Sequence, residues 1–221
     1  LLNLDNEDKW KLGFNYRSLI DVEVEAGDGE AIFSNVPNSP LAPIANGTFD
    51  FTASLPLPAE WTVGLSYRPN EKWLFAFDYN YAEWSAYNSL DLEFLNTDGS
   101  VALESLNPRN YKNASTYRFG AQFSPSKKFD LRVGYYFDES PVQAGFFAPE
   151  TPRNDSNGFT GGFTYNINDK FAIDASFLYL RFKEIDASYD AFTETDGTPA
   201  PFRGTYKSSA FAPGIGLSYK L

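Results

Sequence analysis

Residues Tyr117 to Asp138 read YRFGAQFSPSKKFDLRVGYYFD. Odd positions carry Tyr117, Phe119, Ala121, Phe123, Phe129, Leu131, Val133, Tyr135 and Phe137, while even positions carry Arg118, Gly120, Gln122, Asp130, Arg132, Gly134, Tyr136 and Asp138. Side chains of a strand alternate between its faces, so two strands here share one greasy face and one polar face. Between them SPSKK is a tight polar turn containing Pro125, and each arm has the roughly nine to eleven residues with which a tilted strand crosses a bilayer.

The same alternation recurs about eight times along the chain. Trp10, Leu12, Phe14 and Tyr16 oppose Lys11, Gly13, Asn15 and Arg17, and the stretch from Ile20 to Glu25 is expected to prolong that arm above the membrane. A long acidic loop with several prolines follows, to about Thr48. Pro56 and Pro58 donate no ladder hydrogen bonds, which predicts a kinked rim before Trp61, Val63, Leu65 and Tyr67. The turn RPNEK leads into Trp73, Phe75, Phe77, Tyr79 and Tyr81, and a second long loop is expected from about Asn96 to Lys112. Past Pro141, an arm with Phe159, Phe163 and Tyr165 turns at NINDK into Phe171, Ile173, Phe177 and Tyr179; the last arm carries Phe211, Ile215, Leu217, Tyr219 and Leu221. Tight turns alternating with long polar loops are the asymmetry of an outer-membrane barrel. The expectation is one domain over residues 1–221: an all-β, transmembrane, antiparallel up-and-down β-barrel or part of one, with short turns periplasmic and long loops extracellular.

Composition narrows the function classes. Aromatic residues make up 18% of the chain, with 14 Tyr and 21 Phe, and they are interspersed with polar residues as strands require. No apolar run approaches the roughly 20 residues of a membrane-spanning helix. Cysteine is absent, which excludes disulfides and thiolate chemistry, and histidine is absent, which removes the usual general base and imidazole ligand. No enzyme activity and no cofactor is expected. The net charge of -11 repels nucleic acid. Met is also absent and Leu1 opens no signal peptide, so a processed or truncated chain is expected.

Alternation alone leaves open which face looks inward. Turned inward, the greasy face would crowd roughly thirty-five bulky side chains into an interior that eight strands only just fill. The polar face, rich in Gly, Ser, Thr and Asn, fits or leaves a lumen. Rings also collect at the two ends of the arms, Trp10, Tyr67, Trp73, Phe123, Phe129, Tyr165, Phe171 and Tyr219 at the turn side and Tyr16, Trp61, Tyr79, Tyr81, Tyr117, Tyr135, Tyr179 and Phe211 at the loop side, as in two membrane girdles.

The stretches LPLPAEWTVGLSYRPNEKW, ASTYRFGAQFSPSKKFDLRVGYYFDESPV and FRGTYKSSAFAPGIGLSYKL resemble the FadL-type outer-membrane transporters of long-chain fatty acids and other hydrophobic compounds. The resemblance implies a fourteen-stranded barrel of which this chain supplies the last eight strands. The family's N-terminal hatch and its early kinked strand are expected to be absent from it. It also implies passive uptake of a hydrophobic or amphipathic ligand such as a fatty acid or detergent, in a Gram-negative outer membrane. The alternative is a small structural or adhesive barrel that closes on its own eight arms. Gly216, Tyr219 and Leu221 resemble the terminal signal read by the barrel-assembly machinery.

Candidate ligand contacts lie on the polar face. Arg17, Arg118 and Arg132 can meet a ligand carboxylate in bidentate fashion, or serve in a ladder of paired charges that holds strand register. On the arm after NINDK the polar side changes from Asp174 and Ser176 to Leu178, Leu180 and Phe182, an apolar patch suited to an acyl chain unless a bulge re-aims it to lipid. Arg181, Lys183, Arg203 and Lys207 lie above the upper girdle, where a solvated rim and lipopolysaccharide phosphates are both compatible partners. Asp28, Glu30, Glu194 and Asp196 show no metal-loop spacing, and no metal site is expected.

Overall fold

The computed structural model describes residues 2–34, 47–193 and 197–219. Its strands are β1 (Leu2–Asn3), β2 (Trp10–Arg17), β3 (Ile20–Val24), β4 (Glu30–Phe33), β5 (Gly47–Leu57), β6 (Glu60–Asn70), β7 (Trp73–Ala82), β8 (Leu92–Leu95), β9 (Val101–Ser105), β10 (Ala114–Ser126), β11 (Phe129–Asp138), β12 (Ser156–Asn166), β13 (Phe171–Phe182), β14 (Ile185–Tyr189), β15 (Phe202–Tyr206) and β16 (Ser209–Tyr219). The eight alternating arms become β2, β6, β7, β10, β11, β12, β13 and β16, and with β1 they form one antiparallel sheet in that order. The described strands do not close into a ring.

Register explains why the two faces stay distinct across the wall. Val133 lies opposite Ala121 on one side and Gly161 on the other, whereas Gly134 lies opposite Gly120 and Thr160. Each row of paired residues therefore stays on one face, the rows being mostly greasy on one side and mostly small or polar on the other. Ring pairs mark both ends of the rows. At the turn side these are Trp10–Tyr67, Trp73–Phe123, Phe129–Tyr165 and Phe171–Tyr219, with centroids 4.1, 4.5, 6.4 and 4.8 Å apart. At the loop side they are Tyr16–Trp61, Tyr79–Tyr117, Tyr135–Phe159 and Tyr179–Phe211, at 5.4, 5.2, 5.4 and 4.9 Å. Both girdles run from the first long strand to the last.

The rim breaks where the prolines predict. The β2–β6 ladder ends at Arg17 opposite Glu60, and pairing resumes at Ile20 opposite Leu57 in the same register, with Pro56 opposite Asp21. β3 and β5 thus prolong the first hairpin beyond the wall, and β4, β8 and β9 join them in a five-stranded sheet. This corrects the expected loop over Asn96 to Lys112, part of which is the β8–β9 hairpin. Its cause is the Asp98-Gly99 turn: Gly99 adopts a φ of +81°, which costs glycine nothing, and Ser100 donates its backbone N–H to Asp98.

The large buried side chains among the described residues lie above the wall. Phe147, Ala148, Pro141, Tyr87, Tyr111 and Tyr189 all belong to loop segments or the β14–β15 hairpin, whereas Phe119, Val133, Ile215 and Leu217 on the greasy face are exposed. A wall with lipid on one side and a lumen on the other buries little against itself, so the packed core forms where the long loops meet.

Candidate functional site

The polar face of β7, β10, β11, β12, β13 and β16 lines a cavity of about 780 Å³. Among its lining residues are Leu74, Arg118, Arg132, Tyr136, Leu178 and Ala212. A second concavity, of about 610 Å³, lies on the greasy face among Trp10, Phe75, Phe119 and Val133. It is a gap left by Ala121 between large rings on the lipid-facing side.

The three candidate arginines differ sharply in surroundings. Arg132 is engaged on several sides: it donates through Nε to Gln122 at 3.0 Å and through Nη1 to Thr164 at 2.7 Å, and it stands 3.8 Å from the Asp130 carboxylate. Thr164 in turn donates to Asp174, which also accepts from Ser218 at 3.1 Å. This ladder ties β10, β11, β12, β13 and β16 together near the turn side. Arg17 pairs with Glu60 at 3.7 Å on the rim and does not line the cavity. Arg118 lines the cavity opposite Asp78 in register, and it has no hydrogen-bond or ion-pair partner among the described residues.

β13 keeps one register against β12 and β16 along its whole length, from Phe171 opposite Tyr219 to Arg181 opposite Ser209, so no bulge re-aims its side chains. Leu178 therefore shares the face of Arg118 and lines the cavity, with Thr160 and Ala212 beside it. Leu180 and Phe182 follow on the same face at higher levels, opposite Gly158 and Ser156, and lie outside the cavity lining.

One cavity residue gives no sequence signal beyond its parity. Tyr136 lies flat across Gly158: a Cβ on that glycine would come within 2.0 Å of its ring. The glycine makes room for the phenol to lie along the wall. Gly158→Ala is expected to swing Tyr136 into the lumen and to cost about 1–3 kcal/mol of overpacking. A lowered melting point of the folded band in heat-modifiability gels, with reduced solute flux, is the readout.

Above this cavity lies another of about 390 Å³, lined by Arg118, Tyr136, Asp138 and Arg153 among others. Asp138 accepts from Thr116 at 2.6 Å and pairs with Arg153 at 2.6 Å. Of the rim cations, Lys207 pairs with Glu184 at 2.8 Å and Lys183 stands 3.8 Å from Asp155. No cluster of three potential metal-ligating side chains occurs among the described residues. Glu194, Asp196 and Leu221 lie outside those residues.

The family model for the outer membrane protein transport protein (OMPP1/FadL/TodX) matches residues 2–221. The chain is 23% identical to the long-chain fatty acid transport protein of Escherichia coli over 90% of this chain and 44% of that protein. It spans less than half the length of the curated relatives it matches. The fold is similar to that of a Pseudomonas aeruginosa FadL homologue, with a TM-score of 0.78 at 19% identity over 96% of this chain and 49% of the other. It is also similar to the P. putida toluene transporter TodX, with a TM-score of 0.62 at 19% identity over 98% and 47%.

Proposed function

The chain belongs to the outer membrane protein transport family OMPP1/FadL/TodX, and from that premise we propose that it forms the wall of a passive uptake channel for a hydrophobic or amphipathic small molecule. The family consists of outer-membrane transporters, not enzymes. The observation that carries the proposal is Leu178: a large apolar side chain on a face of mostly small and polar residues, in a cavity that on the same face holds the guanidinium of Arg118, without a hydrogen-bond or ion-pair partner among the described residues. A water-filled pore has no use for that leucine, whereas an acyl chain or an aromatic ring does. A long-chain carboxylate fits both features, with its tail over Leu178 and its head at Arg118. Leu180 and Phe182 extend the apolar track upward.

The free edges support a wider barrel. In hydrocarbon every backbone N–H and C=O needs a partner, and among the described residues β16 pairs only with β13 while β2 beyond Leu12 pairs only with β6. Residues 2–219 then belong to one barrel domain, the C-terminal part of a longer one, completed by further strands. Short turns such as Ser126–Phe129 face the periplasm, and the long loops face outward toward lipopolysaccharide. The barrel-assembly machinery is the expected partner during insertion.

Leu178→Asp places an unpaired carboxylate in the track. Uptake of a radiolabelled fatty acid by cells carrying the full-length protein is expected to fall about tenfold, the equivalent of roughly 1.4 kcal/mol, with the folded band retained. Unchanged uptake by an assembled variant would remove Leu178 from the ligand path.

A further inference from the structure

The greasy face of the wall carries a trough. Phe75, Ala121, Val133 and Gly161 lie opposite one another in a single row across β7, β10, β11 and β12, and along it the side chains shrink from a ring to a hydrogen atom. The row on its loop side carries Phe77, Phe119, Tyr135 and Phe159, and the row on its turn side carries Trp73, Phe123, Leu131 and Phe163. Rings stand against each other within both banks, Phe77 and Phe119 at 4.9 Å and Trp73 and Phe123 at 4.5 Å between centroids. The concavity of about 610 Å³ on this face lies here and extends to Leu65 and Trp10. Its lining is almost wholly apolar, and the hydroxyl of Tyr135 is already committed to Asn157 at 2.7 Å.

Behind the trough the wall is thin. Ala76, Gly120 and Gly134 follow one another in the adjacent row of the opposite face, and they border both the trough and the lumen cavity. Facing glycines inside a ladder often mark the close approach of a ligand or another chain. Left empty, a trough between two ring banks forfeits the dispersion contacts that a fitted apolar chain supplies. Strands in such walls tilt by roughly 35–45°, so a trough running across them slopes through the membrane instead of lying in its plane.

Past the turn-side bank come the turns RPNEK and SPSKK. They hold Lys72, Lys127 and Lys128 against the one carboxylate Glu71, and no ion pair engages the three ammonium groups among the described residues. In a chain of net charge -11 these turns run against the overall sign. Lysines at a membrane surface attract anionic lipid.

We propose that the trough is a lipid-binding site, which holds one acyl chain of an anionic phospholipid from the turn-side leaflet with the phosphate at Lys72, Lys127 and Lys128. The occupant follows from the position: the trough opens onto hydrocarbon between the two ring girdles, and cations stand where the head group of that chain emerges. A second copy pressed on the same face about an axis along the membrane normal would set these lysines against its own, which opposes pairing. The inference depends on the greasy face meeting lipid and not on which solute the channel carries.

The test uses the full-length protein in nanodiscs of equimolar palmitoyl-oleoyl phosphatidylglycerol and phosphatidylethanolamine, released into detergent and weighed by native mass spectrometry. The parent is expected to retain one phospholipid, with phosphatidylglycerol favoured. Ala121→Phe fills the trough and is expected to lower retention about tenfold; Ala121→Leu, a milder filling, is expected to lower it less. Lys72→Gln, Lys127→Gln and Lys128→Gln combined are expected to abolish the preference for phosphatidylglycerol while a phospholipid is still retained. Ile215→Phe, on the same face but outside the trough, is the control and is expected to change neither. The folded band in heat-modifiability gels shows that each variant has assembled. Retention unmoved by both Ala121 variants overturns the site. So does displacement of the retained lipid by palmitate, which assigns the trough to the solute path, and so does a dimer of the parent that Ala121→Phe dissociates, which assigns it to a second copy.

Discussion

Val133→Arg is expected to destabilise the assembled wall by about 2–4 kcal/mol, the cost of a cation facing lipid near the middle of the membrane. Val133 sits midway along β11, between the girdle rings Phe129 and Tyr135, and is 64% exposed. An isolated exposed valine would mean nothing on a soluble protein. Here its row continues through Ala121 and Gly161 to Phe177 and Phe75, all on the face that carries both ring belts. The control is Thr160→Arg, one row away on the opposite face beside Gly134 and Leu178, where the new cation reaches the lumen. It is expected to leave assembly intact and to alter selectivity instead. Urea titration of the folded protein in vesicles measures both. If Thr160→Arg failed to assemble while Val133→Arg behaved as the parent, the greasy face would be the inner one.

Sidedness and the eight long strands were legible in the sequence because a period of two survives any error in strand ends. Once Tyr117 to Asp138 is read, each further arm either repeats it or does not. The same parity placed Leu178 on the face of Arg118, and only the uninterrupted β13 register could exclude a bulge. The β8–β9 hairpin was read as loop: the Asp98-Gly99 turn signals it, but its strands of 4 and 5 residues are too short for alternation to stand out. The loop core was not legible at all. Tyr87, Arg109, Phe147 and Tyr189 come from separate segments with no common period, and only the folded chain brings them together. The Arg153–Asp138 pair is hidden for the same reason: one partner ends a strand of known parity, and the other sits in an aperiodic loop.

Glu150→Ala is expected to loosen that loop core more than removal of its buried partner does. Arg109 is 4% exposed in its side chain and donates to Glu150 at 2.6 Å, while Glu150 is 53% exposed. The guanidinium stands 5.9 Å over the Tyr189 ring, and its Nε and Nη1 have no hydrogen-bond partner among the described residues. The burden is therefore lopsided. Without Glu150 a buried cation keeps only a ring face for company, whereas without Arg109 the carboxylate turns to water. Because Glu150 is half solvated, the loss on Glu150→Ala is about 1–2 kcal/mol, short of the roughly 3–5 kcal/mol of a fully buried pair. Arg109→Met fills the site with an apolar chain of similar length and is expected to be near neutral, and the double variant is expected to recover most of the loss. Hydrogen exchange of the Tyr87, Tyr111 and Phe147 amides, faster by about tenfold in Glu150→Ala alone, measures the difference. The same pair sets a pH dependence. Burial pushes the Glu150 carboxyl up, but the hydrogen bond and charge of Arg109 outweigh it and hold the group below its ordinary value of 4.5. A carboxyl depressed in this way stabilises the fold above its unfolded pKa and loses that contribution as pH falls through the folded one. The clasp is thus intact at neutral pH and opens only under acid below that ordinary value. Equal loosening by Arg109→Met and Glu150→Ala, or loosening that begins near neutrality, would show that the buried charge is not what holds these loops.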